Sequence, residues 1–141
     1  MKVEQEHIDE EAEAFDKRIS ERTKKGFVPD LRRAVKCDYF YKSFWRDPQF
    51  IDLYLGAINK GYLDLLSRYC PKDAVILDVG CGAGYMSLEL ARNGYKVSAF
   101  DISSACIEEA EQVLASNPYK DNFGSLEYRV MALHEATGQY D

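Results

Sequence analysis

The segment VILDVGCGAG, residues 75–84, constrains the fold of this chain more than any other stretch. A short apolar run leads directly into three glycines that are spaced two residues apart. A run that is apolar at almost every position is typical of a strand buried on both faces of a parallel sheet. Glycines directly after such a strand indicate a tight turn, because glycine adopts positive φ angles without steric penalty. The segment therefore predicts a strand, a glycine loop and a helix.

The chain after this segment continues to alternate between strand and helix patterns. Helical spacing follows the glycines as far as Gly94, and KVSAFD is a second strand that ends at Asp101. Ser103 is suited to cap the next helix, which Asn117-Pro118 closes, and LEYRV is a third strand. The order β-α-β-α-β predicts an α/β fold, a Rossmann-like, doubly wound parallel sheet with right-handed connections.

The N-terminal half is predicted to be mainly helical. From Glu4 to about Lys24, apolar residues recur at helical spacing among many charges, which predicts an amphipathic helix that docks on the rest of the chain. Its apolar positions are Ile8, Ala12, Phe15 and Ile19. A second helix is predicted to start at Asp47-Pro48, an N-cap acceptor followed by proline at the first helical position.

Composition restricts the classes of function. The 141 residues, 46% hydrophobic and 30% charged, are ordinary for one globular domain. The net charge of −6 disfavours a general nucleic-acid binder, since phosphate neutralisation needs a surplus of Lys and Arg. The sequence shows neither an apolar run near the ~20 residues of a membrane span nor the apolar stretch of a secretory signal. We therefore expect a cytoplasmic protein that has no nucleic-acid partner and no membrane span.

Four cysteines and two histidines favour neither a metal site nor a redox pair, because the cysteines form no C-x-x-C motif. We expect reduced thiols. Cys81, between the glycines, is interpreted as a small filling residue rather than a nucleophile, since no histidine lies near it in the sequence. His134, after the third strand, is expected in a surface loop rather than as a catalytic base.

The glycine turn and Asp101 together predict a site for a nucleoside ligand. Free N–H groups and the dipole at the start of a helix favour a polar or anionic ligand. Gly80, Gly82 and Gly84 would let a ligand approach the backbone without meeting a Cβ atom. Asp101, 21 positions after Gly80, is expected at an exposed strand tip, where an acid accepts hydrogen bonds from ribose hydroxyls. The alternative is structural: a tight turn, with Asp101 capping the turn before Ser103.

The glycine spacing distinguishes between nucleoside cofactors. A dinucleotide fingerprint is G-x-G-x-x-G, whereas Tyr85 takes the place of its third glycine here and the spacing is G-x-G-x-G. Asp78 would repel a pyrophosphate but suits the ammonium group of an amino acid. An amino-acid end near Asp78 and a ribose at Asp101 describe S-adenosylmethionine. A nicotinamide-dependent oxidoreductase is the less favoured alternative.

VILDVGCGAG, the helix ending LARNG and the strand ending FDIS resemble the first two motifs of class I S-adenosylmethionine-dependent methyltransferases. The resemblance covers about Lys72 to Asp141, and EYRVMALHEATGQYD further resembles the ubiquinone-biosynthesis type of O-methyltransferase. It implies that the loop of Gly80, Cys81, Gly82 and Gly84 wraps the methionine portion of the cofactor.

The resemblance also assigns residues to the rest of the cofactor. It implies that Asp78 contacts the amino end directly or through water, that Asp101 holds the ribose and that Ile102 packs on the adenine. Many relatives have an acid after the third strand near the adenine amino group, whereas Met131-Ala132-Leu133 offers only backbone there.

The implied function is methyl transfer to a small-molecule acceptor, and the sequence singles out no catalytic residue. A sulfonium already carries an activated methyl group, so the main task is to position the acceptor and exclude water. The cluster YFYKSFW, residues 39–45, is either a lid, with Tyr41 or Trp45 contacting the sulfonium by cation–π attraction, or a set of helix-packing aromatics. A non-catalytic, S-adenosylmethionine-binding or scaffolding module is the alternative function.

The resemblance also predicts how the chain is organised. We expect residues 1–70 to be a helical cap region and residues 71–141 to be the first half of a Rossmann-like domain, truncated before its fourth strand. Class I methyltransferases have a seven-stranded sheet with the first strand near its middle. Without a fourth strand, that first strand would present an unpaired edge, which favours self-association through the edge.

Overall fold

The computed structural model describes residues 5–32 and 48–141, with side chains described for residues 5–32 and 57–141. The helices of this part are α1 (Gln5–Lys24), α2 (Pro48–Tyr69), α3 (Tyr85–Arg92) and α4 (Ser104–Ala115). The strands are β1 (Val75–Val79), β2 (Lys96–Asp101) and β3 (Ser125–Val130), and a short 3-10 turn follows at Leu133–Glu135.

The three strands form one parallel sheet in the order β1-β2-β3. Val75 pairs with Lys96, and Lys96 pairs with Ser125, so the strands start in register and β2 lies in the middle. The carboxyl ends of all three strands therefore meet at one edge of the sheet, where open α/β sheets bind their ligands. The predicted Rossmann-like α/β fold is confirmed.

The main core lies between α3 and one face of the sheet. Val97 and Ala99, two residues apart on β2, point to the same face and are buried against Leu90 and Ala91 of α3. Leu63 and Leu66 of α2 and Ile76 of β1 pack at the margin of this cluster. This packing fixes the position of α3 relative to β1, and with it the loop that connects them.

Helix α1 docks on α4 and on the glycine loop. Ile19 is buried against Ala83 and Cys106. The Asp16 carboxylate accepts hydrogen bonds from the Ser103 hydroxyl at 2.5 Å and from the Ala105 N–H at 3.1 Å. Since these donors lie at the start of α4, Asp16 places a negative charge where a helix N-terminus favours one.

One position of the predicted apolar stripe on α1 is wrong. Phe15 is 37% exposed, and the guanidinium of Arg18 lies 5.2 Å from its ring centroid at the surface. The docked face instead combines Ile19 with the polar Asp16, three residues earlier. Because the contact face includes the charged Asp16, the spacing of apolar residues alone did not identify that face, and it wrongly placed Phe15 there.

The segment after β3 returns to the start of β1. The Met131 N–H donates to the Asp101 carbonyl, and at the end of the segment the Asp141 N–H donates to the Val75 carbonyl at 2.8 Å. The Asp141 side chain in turn accepts from the Val75 N–H at 2.9 Å. Both backbone groups of Val75 on the side away from β2 are therefore bonded to Asp141.

Within residues 5–32 and 48–141, no helix is both long enough and apolar enough to pass through a membrane. The YFYKSFW cluster, Cys37 and the proposed N-cap Asp47 lie outside the described residues. The helix predicted at Pro48 does begin there.

Candidate functional site

The glycine loop, residues 80–84, joins β1 to α3 and is held against the end of β2. The N–H groups of Gly80 and Cys81 both donate to the Phe100 carbonyl, at 2.9 and 3.0 Å. The N–H of Gly82 donates to the Asp101 carboxylate at 2.8 Å. The glycine loop and Asp101, which the sequence predicts to form one site, are thus in direct contact.

The three glycines have positive φ angles, but they do different things. A Cβ atom at Gly80 (φ 69°) or Gly82 (φ 55°) would meet nothing within 4 Å, so the space beside these two residues is open to a ligand. A Cβ atom at Gly84 (φ 77°) would overlap the Tyr128 hydroxyl oxygen and lie 2.6 Å from the ring carbon that carries it. That hydroxyl donates to the Gly84 carbonyl at 3.0 Å. Gly84 is therefore required by the fold, as the residue before α3.

Asp101 is buried rather than at an exposed strand tip, which corrects the sequence-based expectation. Its side chain is only 9% exposed and accepts from the N–H of Gly82 and from the N–H of Ser103, the latter at 2.9 Å. The structural alternative, capping of the turn before Ser103, is thus part of what Asp101 does. A carboxylate has about four lone-pair sites, so each of its oxygens retains one for a ligand hydroxyl.

Asp78, near the end of β1, is half-buried and accepts a hydrogen bond of 2.6 Å from the Ser87 hydroxyl of α3. Burial raises the pKa of Asp78, the Ser87 hydrogen bond opposes that rise, and the nearby charge of Asp101 adds to it. A carboxylate held in this way at neutral pH is stabilised by a cation. Asp78 can therefore receive the ammonium group of an amino acid.

Replacing Asp78 by asparagine should raise the melting temperature of the ligand-free chain at pH 7. Because the folded-state pKa is raised above 3.8, the folded state binds the proton more tightly than the unfolded state. The stability that this proton binding gives the folded state is present below pH 3.8 and is lost as pH rises through the folded pKa of Asp78. An asparagine side chain avoids that loss because it carries no charge, and its oxygen can still accept the hydrogen bond from Ser87. The increase in melting temperature should therefore be smaller near pH 4 than at pH 7.

Thermal unfolding of both proteins between pH 4 and pH 8 measures this effect. Asp73→Asn is the matched control, because Asp73 is 74% exposed and pairs only loosely with Lys96, at 3.5 Å. A lower melting temperature of Asp78→Asn at pH 7, or a gain that does not change with pH, would show that the Asp78 charge is not destabilising.

The structure supports the interpretation of Cys81 as a filling residue. It packs at the margin of the main core. Burial raises the pKa of its thiol, and the charges of Asp78 and Asp101 raise it further, so the thiol stays protonated and unreactive. His134 is exposed on the 3-10 turn, as expected of a surface position.

Ile102 lines a cavity of about 220 Å³ that adjoins the strand ends. The end of β3 and the 3-10 turn form one side of the cavity, and the first two turns of α1 form the other. Its other lining residues are Gln5, Ile8, Asp9, Ala12, Val130, Met131, Ala132, His134 and Glu135. The sequence did not indicate that α1 contributes to the site, since that contribution depends on the contact between Asp16 and Ser103, 87 residues apart.

Comparison with known proteins gives a consistent result for the C-terminal part. Residues 76–141 match a family described as a methyltransferase domain. A ubiquinone biosynthesis O-methyltransferase from Xylella fastidiosa is 41% identical over 81 residues, which are 55% of this chain and 33% of that protein. A ribosomal RNA small subunit methyltransferase C from Alcanivorax borkumensis is 39% identical over 73 residues, 45% of this chain and 22% of that protein.

A solved structure shares the fold. The magnesium protoporphyrin IX methyltransferase of Synechocystis PCC 6803, solved with bound S-adenosylmethionine, superposes with a TM-score of 0.52 at 27% identity. The match covers 64% of this chain and 43% of that one. The chain thus spans a third of the Xylella fastidiosa relative and less than half of the solved structure.

Proposed function

We propose that this chain holds S-adenosylmethionine for methyl transfer to a small-molecule acceptor. The premise is that residues 76–141 belong to the class I S-adenosylmethionine-dependent methyltransferase family. The observation that carries the proposal is the 2.8 Å contact between the Gly82 N–H and the Asp101 carboxylate, beside open space at Gly80 and Gly82. This contact brings a glycine backbone and a ribose acceptor together at the carboxyl edge of the sheet.

The residues present fit the cofactor. The open side of Gly80 and Gly82 leaves room for the methionine portion, and half-buried Asp78 is suited to its ammonium group. Asp101 has an unused acceptor site on each oxygen for the two ribose hydroxyls. Ile102, the next residue, lines the cavity of about 220 Å³ beyond the ribose position. Each part of S-adenosylmethionine therefore has a candidate partner.

When bound, the sulfonium supplies an activated methyl group, so the chain need not provide a nucleophile. The described residues contribute binding and orientation. Asp101 keeps the glycine loop in place through Gly82 and fixes the start of α4 through Ser103. A loop held at two points loses little freedom when the ligand binds, which favours a single orientation of the reacting group.

The class of acceptor is the less constrained part of the proposal. The net charge of −6 and the ubiquinone-type relative favour a small molecule. A relative named as a ribosomal RNA methyltransferase supports the competing candidate, an RNA base. Methyl transfer from radiolabelled S-adenosylmethionine to small phenols and to ribosomal RNA separates the two candidates. Label only in the RNA would contradict a small-molecule acceptor.

Cofactor binding is tested with Gly82→Ala. The added Cβ would enter the space assigned to the ligand, so the Kd for S-adenosylhomocysteine should rise by about tenfold or more, which corresponds to about 1.4 kcal/mol. Gly26→Ala is the matched control, because Gly26 also has a positive φ (86°) and open space around its Cβ position but lies after α1.

Isothermal calorimetry and thermal unfolding measure both variants, with NAD as the competing ligand. We expect similar losses of stability for the two variants and a loss of binding for Gly82→Ala alone. Equal affinities of Gly82→Ala and the unchanged chain would show that the glycine loop does not hold the cofactor. Binding of NAD in preference to S-adenosylhomocysteine would favour the oxidoreductase alternative.

A further inference from the structure

The cavity between α1 and the end of β3, of about 220 Å³, adjoins the proposed ribose position. Ile102 lines this cavity and directly follows Asp101 in the chain. A nucleoside base is attached to the ribose, so a ribose at Asp101 brings the base into the space next to Ile102. This placement of the base rests on the proposed function.

The walls of the cavity are both apolar and polar and come from two sources. Among the apolar residues, Ile102, Val130 and Met131 lie at or directly after the ends of β2 and β3, whereas Ile8 and Ala12 belong to α1. Apolar side chains on both sides can contact the faces of a planar ring system, and polar side chains can contact its edge. The chemistry of the walls therefore fits a heterocyclic base.

Helix α1 is held firmly enough to serve as a wall. Asp16 accepts two hydrogen bonds from the start of α4, and Ile19 is buried against the glycine loop. Asp9 is seven residues, about two turns, before Asp16, so it lies on nearly the same side of the helix and about 10 Å along its axis. The docking contacts thus set the position of Asp9 at the cavity.

Two carboxylates line the cavity, and each has one oxygen without a bonded partner among residues 5–32 and 57–141. The Glu135 Oε2 accepts from the Ala132 N–H at 2.8 Å, so this carboxylate is held as the cap of its own 3-10 turn. The Asp9 Oδ1 accepts a hydrogen bond of 2.9 Å only from the Gln5 side chain, so in this part of the chain Asp9 is the carboxylate that no backbone group holds. Met131 and Ala132 present no side-chain acceptor.

We propose that Asp9 of α1 recognises the exocyclic amino group of adenine and selects a 6-amino purine over a 6-oxo purine. A carboxylate accepts a hydrogen bond from an amino group, whereas it faces the carbonyl oxygen of hypoxanthine without a donor between them. Hydrogen bonds to charged acceptors contribute about 1.5–3 kcal/mol, which is roughly one to two powers of ten in affinity. Helix α1 thereby sets base specificity for a site built on the sheet.

The test measures the Kd of S-adenosylhomocysteine and of S-inosylhomocysteine, its 6-oxo analogue, by calorimetry on the full chain. The unchanged chain should prefer the adenine compound by about tenfold or more. Asp9→Asn should reduce that preference by about tenfold, because an amide can also donate to the 6-oxo group. Glu11→Gln removes the same charge from an exposed position of the same helix and should leave the preference unchanged.

The outcomes distinguish the role of Asp9 from the existence of the cofactor site. If S-adenosylhomocysteine binds and Asp9→Asn leaves the preference unchanged, the role of Asp9 is wrong while the cofactor site stands. An equal change in Asp9→Asn and Glu11→Gln would attribute the effect to net charge and would also overturn the role of Asp9. If neither compound binds the unchanged chain, both the proposed function and this inference fail.

Discussion

Gly84→Ala should destabilise the chain by about 2–4 kcal/mol, a large fraction of the stability of a small domain. A left-handed conformation costs a non-glycine residue roughly 1–2 kcal/mol, and Gly84 has a φ of 77°. The new Cβ would also overlap the Tyr128 hydroxyl oxygen and lie 2.6 Å from the ring carbon that carries it. Tyr128 would have to move and give up its hydrogen bond to the Gly84 carbonyl.

Urea denaturation of Gly84→Ala and Gly26→Ala separates the two contributions. Gly26 has a φ of 86° with nothing within 4 Å of its Cβ position, so Gly26→Ala reports the backbone effect alone. Tyr128→Val in the Gly84→Ala background removes the clashing ring, and the double variant should lose less than the sum of the single losses. Equal losses for the two glycine variants, or additive losses with Tyr128→Val, would rule out the steric contact.

The glycine pattern predicted the loop, but it did not predict that the three glycines have different roles in it. Periodicity and spacing predicted the strand, the turn and the helix, and the structure has all three. They assigned Gly80, Gly82 and Gly84 to the ligand without distinguishing them, because positive φ is required at all three. Only the position of Tyr128, 44 residues later, shows that Gly84 accommodates a side chain of β3.

Contacts between distant residues were the part that the sequence could not supply. Asp16, Asp30 and Arg92 carry no motif, yet Asp30 pairs with Arg92 and Asp16 with the start of α4 across separations of 62 to 89 residues. One signal was available for Arg92: it follows Leu88 by four residues, on the buried side of a helix, where an arginine requires a partner. Spacing alone does not identify that partner, since it comes from the segment after α1.

Arg92→Leu should destabilise the chain by about 3–5 kcal/mol, the usual effect of removing one partner of a buried ion pair. The Arg92 side chain is 1% exposed and forms two hydrogen bonds of 2.9 Å with Asp30, which is fully buried. It also donates to Glu89 at 2.8 Å and to Asn117 at 2.9 and 3.1 Å. Although burial alone would lower the pKa of Arg92, its hydrogen bonds to Asp30 and Glu89 raise it on balance.

The same change should loosen the segment after α1. Asp30 belongs to that segment, and Arg32, two residues later, donates to Glu89 at 2.9 and 3.0 Å. The two arginines and two carboxylates balance each other in charge, and removal of Arg92 leaves one negative charge in excess next to buried Asp30. Hydrogen exchange should therefore become faster in residues 27–32 as well as at the end of α3.

Two further variants distinguish the pairing geometry from the charge alone. Arg92→Lys keeps the charge but cannot form the paired contact with Asp30, so it should lose less stability than Arg92→Leu but still a measurable amount. Arg129→Leu breaks an ion pair with Glu127 in which both side chains are more than half exposed, and should cost about 0–1 kcal/mol. If Arg92→Leu were no more destabilising than Arg129→Leu in urea denaturation, the buried cluster would not be what holds the segment after α1 against α3. A large loss of unfolding free energy with Arg92→Leu and an intermediate loss with Arg92→Lys would instead show that this contact depends on the paired hydrogen bonds between Arg92 and Asp30.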